Sequence, residues 1–151
     1  MESVKNLAFN KRAKFDYDLQ ETFEAGLVLT GPEVKSAKAG HVQFTGAFLD
    51  IRGGQLWLKN AFISPYAPAA SAQKEYDPSR DRKVLVHKRE MNRLVGKKKA
   101  EGFTLVPVSL YLKENLVKLE FAVGKGKKVY EKRAAIKKRD VQRQIREHLK
   151  R

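Results

Sequence analysis

Polar and apolar residues alternate over much of the stretch from Lys14 to Thr30. Phe15, Tyr17 and Leu19 are separated by Asp16, Asp18 and Gln20, and Phe23, Ala25, Leu27 and Leu29 keep the same parity. A period of two puts one face inside and the other in water, which predicts a half-buried strand. Gly26 interrupts the run, where a bulge or bend is expected. Gly31-Pro32 then opens a short helix over Pro32 to Ala39. Proline lacks the N–H that a first helical turn leaves unpaired, Glu33 suits the positive helix end, and Gly40 is a C-terminal stop. Ala47 to Arg52 and Gln55 to Phe62 flank Gly53-Gly54 and predict a hairpin. Ser64 to Asp81, with Pro65, Pro68 and Pro78, reads as a long loop. Lys83 to His87 reads as a short buried strand around Val84-Leu85-Val86. Met91, Leu94 and Val95 mark a helix over Lys88 to Ala100, and Phe103 to Leu112 and Leu116 to Val123 are two more strands. The fold class is mainly β with two to three helices. A small antiparallel barrel fits best, because closure removes unpaired strand edges.

Charge changes this picture most. The 151 residues hold 32 Lys and Arg against 17 Asp and Glu, a net charge of +15. Such an excess favours polyanionic partners, nucleic acid first and an anionic membrane surface second; a merely basic soluble protein is the plain alternative. There is no cysteine, so disulfides and thiolate metal sites are excluded and a cytoplasmic address is permitted. The first fifteen residues lack the apolar run of a signal peptide, and the longest uncharged stretch, Asn60 to Gln73, is too short to span a bilayer. No membrane association is expected.

The charge is concentrated at the C-terminus. Residues 125–151 hold 12 Lys and Arg against 3 Asp and Glu, nine of the fifteen net positive charges. Their apolar residues, Ile136, Val141, Ile145 and Leu149, form a stripe too thin to dock firmly on a core. The tail is expected to be disordered when free and helical on a polyanion. The expected organisation is therefore a basic lead-in over residues 1–13, a barrel over 14–124 and a basic tail over 125–151.

Catalytic and metal signatures are missing. His41, His87 and His148 are scattered without metal-ligand spacing. No Gly-x-Ser-x-Gly elbow is present. Gly124-Lys125-Gly126-Lys127-Lys128 fits neither the Walker spacing nor a dinucleotide fingerprint. The expectation is a protein with no catalytic residues, no cofactor and no enzymatic activity.

An RNA-binding protein needs cations for phosphates and flat groups for unpaired bases. Both occur together here. Asn10-Lys11-Arg12-Ala13-Lys14 abuts Phe15 and Tyr17, Arg80, Arg82 and Lys83 precede Leu85, and Lys125, Lys127 and Lys128 precede Tyr130. Each cluster alone is equally compatible with a solvated charged face. Charge alone would also serve a general ribosomal or RNA-chaperone module, and a hydrolase or nuclease would need a convergent site that the sequence does not display.

Four ordered blocks narrow the choice. They are Asn10 to Ala13 with Phe23 to Leu27 and Leu29 to Ser36; Asp77 to Lys88; Gly102 to Tyr111; and Val123 to Arg133. Together they resemble the SmpB family over about residues 7–140. Glu131 stands where the family's tail motif commonly has Asp, and Pro32 where it often has Thr or Trp. The resemblance implies an OB-like barrel that binds the tRNA-like domain of tmRNA (SsrA RNA). It implies delivery of that RNA to stalled ribosomes for trans-translation, ribosome rescue and tagging of the incomplete nascent protein. EF-Tu would take part indirectly, through alanyl-tmRNA. The RNA-binding positions implied by the resemblance are Asn10, Glu24, Leu85 and Lys118, although Leu85 is equally readable as core; the basic cluster adds Lys11 and Arg12 to the expected RNA-binding residues. The tail motif implied by the resemblance comprises Gly126, Tyr130, Glu131, Lys132 and Arg133, directed at the decoding site and mRNA channel, and the basic cluster adds Lys125, Lys127 and Lys128 to the expected ribosome-contacting tail. Circular dichroism should show helicity rising when a structured RNA is added; unchanged helicity would remove the coupled folding of the tail.

Overall fold

The computed structural model describes residues 4–66, 75–98 and 103–126. In chain order the elements are β1 (Val4–Phe9), α1 (Ala13–Asp16), β2 (Tyr17–Leu27), α2 (Gly31–Lys38), β3 (Val42–Gln43), β4 (Phe48–Arg52), β5 (Gln55–Lys59), β6 (Phe62–Ile63), β7 (Arg82–Leu85), α3 (Lys88–Lys98), β8 (Phe103–Lys113) and β9 (Leu116–Gly126). The main sheet runs β1-β8-β4-β5-β7-β2-β9, and an additional β8–β9 pairing closes six of these strands into a ring. Every pairing is antiparallel. β8 serves three neighbours: β9 along its length, β4 at Leu105, and β1 from Ser109 to Lys113.

The expected closed antiparallel barrel with helices is thus present. Alternation in β2 buries Phe23, Ala25 and Leu27, and Phe23 stacks on its register partner Phe121 with ring centroids 5.4 Å apart. Leu49, Leu56, Leu58, Val84, Leu105 and Leu119 complete the interior, and Leu94 of α3 joins the same core. Gly53 and Gly54 have φ of 59° and 73°, the doubly left-handed geometry of a two-residue hairpin turn that glycine adopts without strain.

Several boundaries differ from expectation for physical reasons. The segment read as a basic lead-in contains β1, whose exposed residues mask it as a charged arm. Phe15 belongs to α1 rather than to the strand, and the β2 bulge falls between Leu19 and Glu21, not at Gly26. β5 stops at Lys59 because Asn60 turns left-handed at φ 62°; Phe62 and Ile63 then pair separately with β3. β9 continues to Gly126, so Lys125 and Gly126 belong to the barrel, paired with Asp18 and Tyr17. The remaining tail, 127–151, lies outside the described residues.

One buried ionic cluster ties the barrel to α2. Thr30 accepts from the Glu33 backbone N–H at 3.3 Å, while Glu33 accepts from the Thr30 N–H at 2.9 Å, a complete capping box. The same carboxylate, 1% exposed, accepts from Arg82 at 2.9 and 2.7 Å and from Arg80. Arg82, fully buried, also donates to the carbonyls of Ala61 at 2.5 Å and Pro78 at 2.9 Å. The basic run Arg80 to Lys83 is therefore not a free phosphate-binding patch: two of its cations hold the fold. Burial pushes the Glu33 carboxyl upward, but the bonds from Arg80, Thr30 and Arg82 outweigh it and hold the pKa down at about 2.

Two stability outcomes follow. Removing one partner of a buried ion pair strands the other, so Arg82→Met should lower unfolding free energy by about 3–5 kcal/mol, read by urea titration of Trp57 fluorescence. Glu33 titrates lower folded than unfolded, so its contribution is complete above pH 4.5 and disappears as pH falls toward 2. That contribution is on the order of 3 kcal/mol. The wild-type protein should lose this increment over that window, whereas Glu33→Gln should start less stable and show a shallower acid limb.

Candidate nucleic-acid interface

Two strand crossings build a groove on the outside of the barrel. Gly26 of β2 is in register with Leu85 of β7 on one side and Lys118 of β9 on the other. Glu24, two residues back along β2, shares this groove of about 310 Å³, as do Leu85, Lys118, His87 and Glu90. A Cβ at Gly26 would lie 3.5 Å from that of Leu85, so the glycine leaves the groove floor open. Leu85 is 51% exposed, which removes the core reading of this residue. Val84, its neighbour, carries the core contact instead.

The Glu24 carboxylate is held from β8. The Tyr111 hydroxyl donates to Oε2 at 2.5 Å, and Lys113 Nζ lies 3.4 Å from Oε1. The Tyr111 bond draws the Glu24 pKa below its ordinary value against the opposing effect of burial, with Lys113 and Lys118 adding to the depression. Burial, the hydrogen bond it donates to Glu24 and the negative charges of Glu24 and Glu120 all push the Tyr111 hydroxyl upward. An ionised carboxylate accepts hydrogen bonds and repels phosphate. Glu24 is thus suited to an N–H or O–H of a base or ribose, Lys118 to a phosphate, and Leu85 to the face of a base. Tyr111, Lys113, His87 and Glu90 escaped the sequence reading. Tyr111 sits in an apolar run that reads as core, and nothing local says that its hydroxyl reaches β2.

Asn10 and Arg12 lie elsewhere, on a larger groove of about 750 Å³ shared with Asp16, Tyr17, Thr104 and Val106. The Asn10 side-chain amide donates to the Pro107 carbonyl at 2.8 Å, and its backbone N–H donates to Val108 at 2.8 Å. This clamp sits beside the irregularity between Pro107 and Ser109, where proline has no N–H for the ladder. Arg12 pairs with Asp16 at 3.3 Å and lies 4.6 Å over the Phe15 ring, while remaining largely exposed. Lys11 is exposed beside it. Of the expected RNA-binding residues, Glu24, Leu85 and Lys118 therefore meet in one groove, and Asn10 and Arg12 in another; β8 lines the second through Thr104 and Val106 and reaches the first only through Tyr111 and Lys113 on Glu24. Lys125 and Gly126 are strand residues, and Lys127, Lys128, Tyr130, Glu131, Lys132 and Arg133 lie outside the described residues.

Among the described residues no group of three or more His, Cys, Asp or Glu could hold a metal ion, and no helix is long and apolar enough to cross a membrane.

Comparison with known proteins agrees with this architecture. The family model described as SmpB protein matches residues 7–151. The SsrA-binding protein of Caldicellulosiruptor bescii is 46% identical over 147 residues, covering 97% of this chain and 92% of the relative. That of Oleidesulfovibrio alaskensis is 48% identical over 145 residues, covering 96% and 92%. A solved structure described as "tmRNA-SmpB: a journey to the center of the bacterial ribosome" superposes with a TM-score of 0.67 at 45% identity, covering 81% of this chain and 85% of the other. With a family match spanning nearly the whole chain and relatives well above 40% identity, the chain belongs to the SmpB family.

Proposed function

We propose that this chain binds the tRNA-like domain of tmRNA and delivers it to stalled ribosomes for trans-translation. The observation that carries the reading is the near full-length similarity to SsrA-binding proteins. The groove adds chemical support, because Glu24, Leu85 and Lys118 combine an acceptor, an apolar surface and a cation within one concavity. The protein acts as a carrier rather than a catalyst. EF-Tu joins indirectly, through the alanine-charged RNA, and the role calls for a cytoplasmic address.

The division of labour runs between barrel and tail. The barrel, through Gly126, holds the RNA; the residues that follow, from Lys127 through Arg133 and beyond, read the decoding site and the mRNA channel. The strand continuing to Gly126 moves the working boundary two residues past the expected one. Lys125 and Gly126 then serve as the root of the tail rather than as part of it.

A general, charge-only RNA module is the competing reading, and Glu24 separates the two. A carboxylate in the binding groove weakens non-specific phosphate contact, so a charge-only binder gains from its loss. In gel-shift titrations at physiological salt, the protein should prefer a transcript of the tRNA-like domain to a random duplex of equal length by at least roughly tenfold. Glu24→Ala should weaken the specific complex by roughly 10- to 100-fold, the range for a hydrogen bond to a charged group, and should spare the duplex. Equal affinity for both RNAs would overturn the reading. Separately, a chain ending at Gly126 should retain most of its RNA affinity yet support no tagging in a reconstituted translation assay. Tagging by that shortened chain would refute the role given to the tail.

A further inference from the structure

The outer face of β2, β8 and β9 gathers a set of charges that electrostatics alone would not favour. Glu24 and Glu120 are directly opposite in the β2–β9 ladder, and like charges so placed repel. Two side chains of β8 separate their roles. Ser109 donates to Glu120 at 3.3 Å, and Tyr111 donates to Glu24 at 2.5 Å. The Tyr111 side chain is 8% exposed, whereas Glu24 is 44% exposed, so a fixed phenol grips a carboxylate that otherwise faces solvent. Tyr111 is in turn the register partner of Lys118 across β8–β9. The phenol is therefore fixed to the same strand pair that carries the groove's cation.

We propose that Tyr111 is a positioning residue for RNA recognition: its hydroxyl orients the Glu24 carboxylate as a hydrogen-bond acceptor facing the groove. The inference rests on the RNA-binding reading above and adds to it a residue that does not itself touch RNA. A long glutamate on an exposed strand face ordinarily samples several rotamers, and ordering it during binding costs affinity. The buried phenol removes that cost in advance. It occupies one lone pair of Oε2, Lys113 makes longer contacts of 3.4 and 3.5 Å to the two oxygens, and the remaining acceptor capacity is left for donors on a base edge or ribose. The groups facing Glu24 are Tyr111 and Lys113 from β8, Lys118 and Glu120 from β9, and His87 and Glu90 across the groove. The phenol, then Lys113 and Lys118, favour its ionised form, and burial opposes it. Loss of the phenolic O–H consequently lets Glu24 take up a proton at higher pH, and a protonated Glu24 offers a donor where the RNA also offers one.

Tyr111→Phe keeps the buried ring and removes only the hydroxyl, so it isolates this bond. In the free full-length protein, the Glu24 carboxyl resonance followed by NMR should titrate at higher pH in Tyr111→Phe than in wild type. An unchanged midpoint overturns the proposal, whatever the RNA does. In binding titrations with the tRNA-like transcript, Tyr111→Phe should lose roughly tenfold in affinity at neutral pH, in keeping with a hydrogen bond to a charged group. The loss should widen as pH falls toward about 5, where ordinary glutamate begins to protonate. In a Glu24→Gln background the same substitution should cost less than about twofold, because coupled residues are non-additive. A loss that is flat with pH and unchanged in the Glu24→Gln background would reveal a merely structural tyrosine and overturn the proposal. Wild-type indifference between the transcript and a random duplex would instead overturn the RNA-binding reading, and the Glu24 midpoint would still decide the Tyr111–Glu24 linkage.

Discussion

The buried Glu33 carboxylate is the constraint around which the rest is arranged. It closes the N-terminal turn of α2 through Thr30 and simultaneously neutralises Arg82 at the first position of β7. Arg82 in turn fixes the carbonyls of Ala61, just before β6, and Pro78, near the end of the connection from β6 to β7. Leu85 is only three residues further along β7, so one wall of the candidate groove is positioned by an ion pair on the far end of its own strand. Burying both charges costs solvation, and the dense set of hydrogen bonds around them offsets that cost. No buried side-chain nitrogen or oxygen among the described residues lacks a hydrogen-bond partner.

β8 is the second organising element. It borders three strands, and its Pro107 breaks the ladder where β1 approaches. Asn10 answers that break by donating to the Pro107 carbonyl, and thereby fixes the end of β1 against the barrel. Further along, the same strand sends Tyr111 and Lys113 across to Glu24. One strand thus lines the larger groove near its start and holds a carboxylate of the smaller one near its end. An asparagine assigned by resemblance to RNA binding has at least part of its hydrogen-bonding capacity directed at the fold.

What could be read from the sequence was local. The alternation of Phe23, Ala25 and Leu27, the Gly53-Gly54 turn and the Pro32–Glu33 helix start each depend on neighbours a few residues away, and each is found as expected. What escaped depends on distant partners. β1 looks like a charged arm until β8 lies beside it, and Arg82 looks like a phosphate ligand until Glu33, 49 residues away, claims it. Val84-Leu85-Val86 could not disclose its outward residue, because three consecutive apolar residues carry no alternation. Glu24, Leu85 and Lys118 were reached through resemblance rather than periodicity; Tyr111 was reached by neither, since only the closed barrel brings its hydroxyl to β2.

The way β9 ends has a mechanical meaning. At Lys125 the strand is flanked by Asp18 on one side and Phe103 on the other, and Gly126 retains Tyr17 as its register partner. A segment clamped on both flanks does not swivel, so β9 keeps its direction up to its final residues. Tyr17 also lines the larger groove. The last described residue of β9 is therefore held at that groove's rim, and the sheet alone sets the direction in which the strand leaves the barrel.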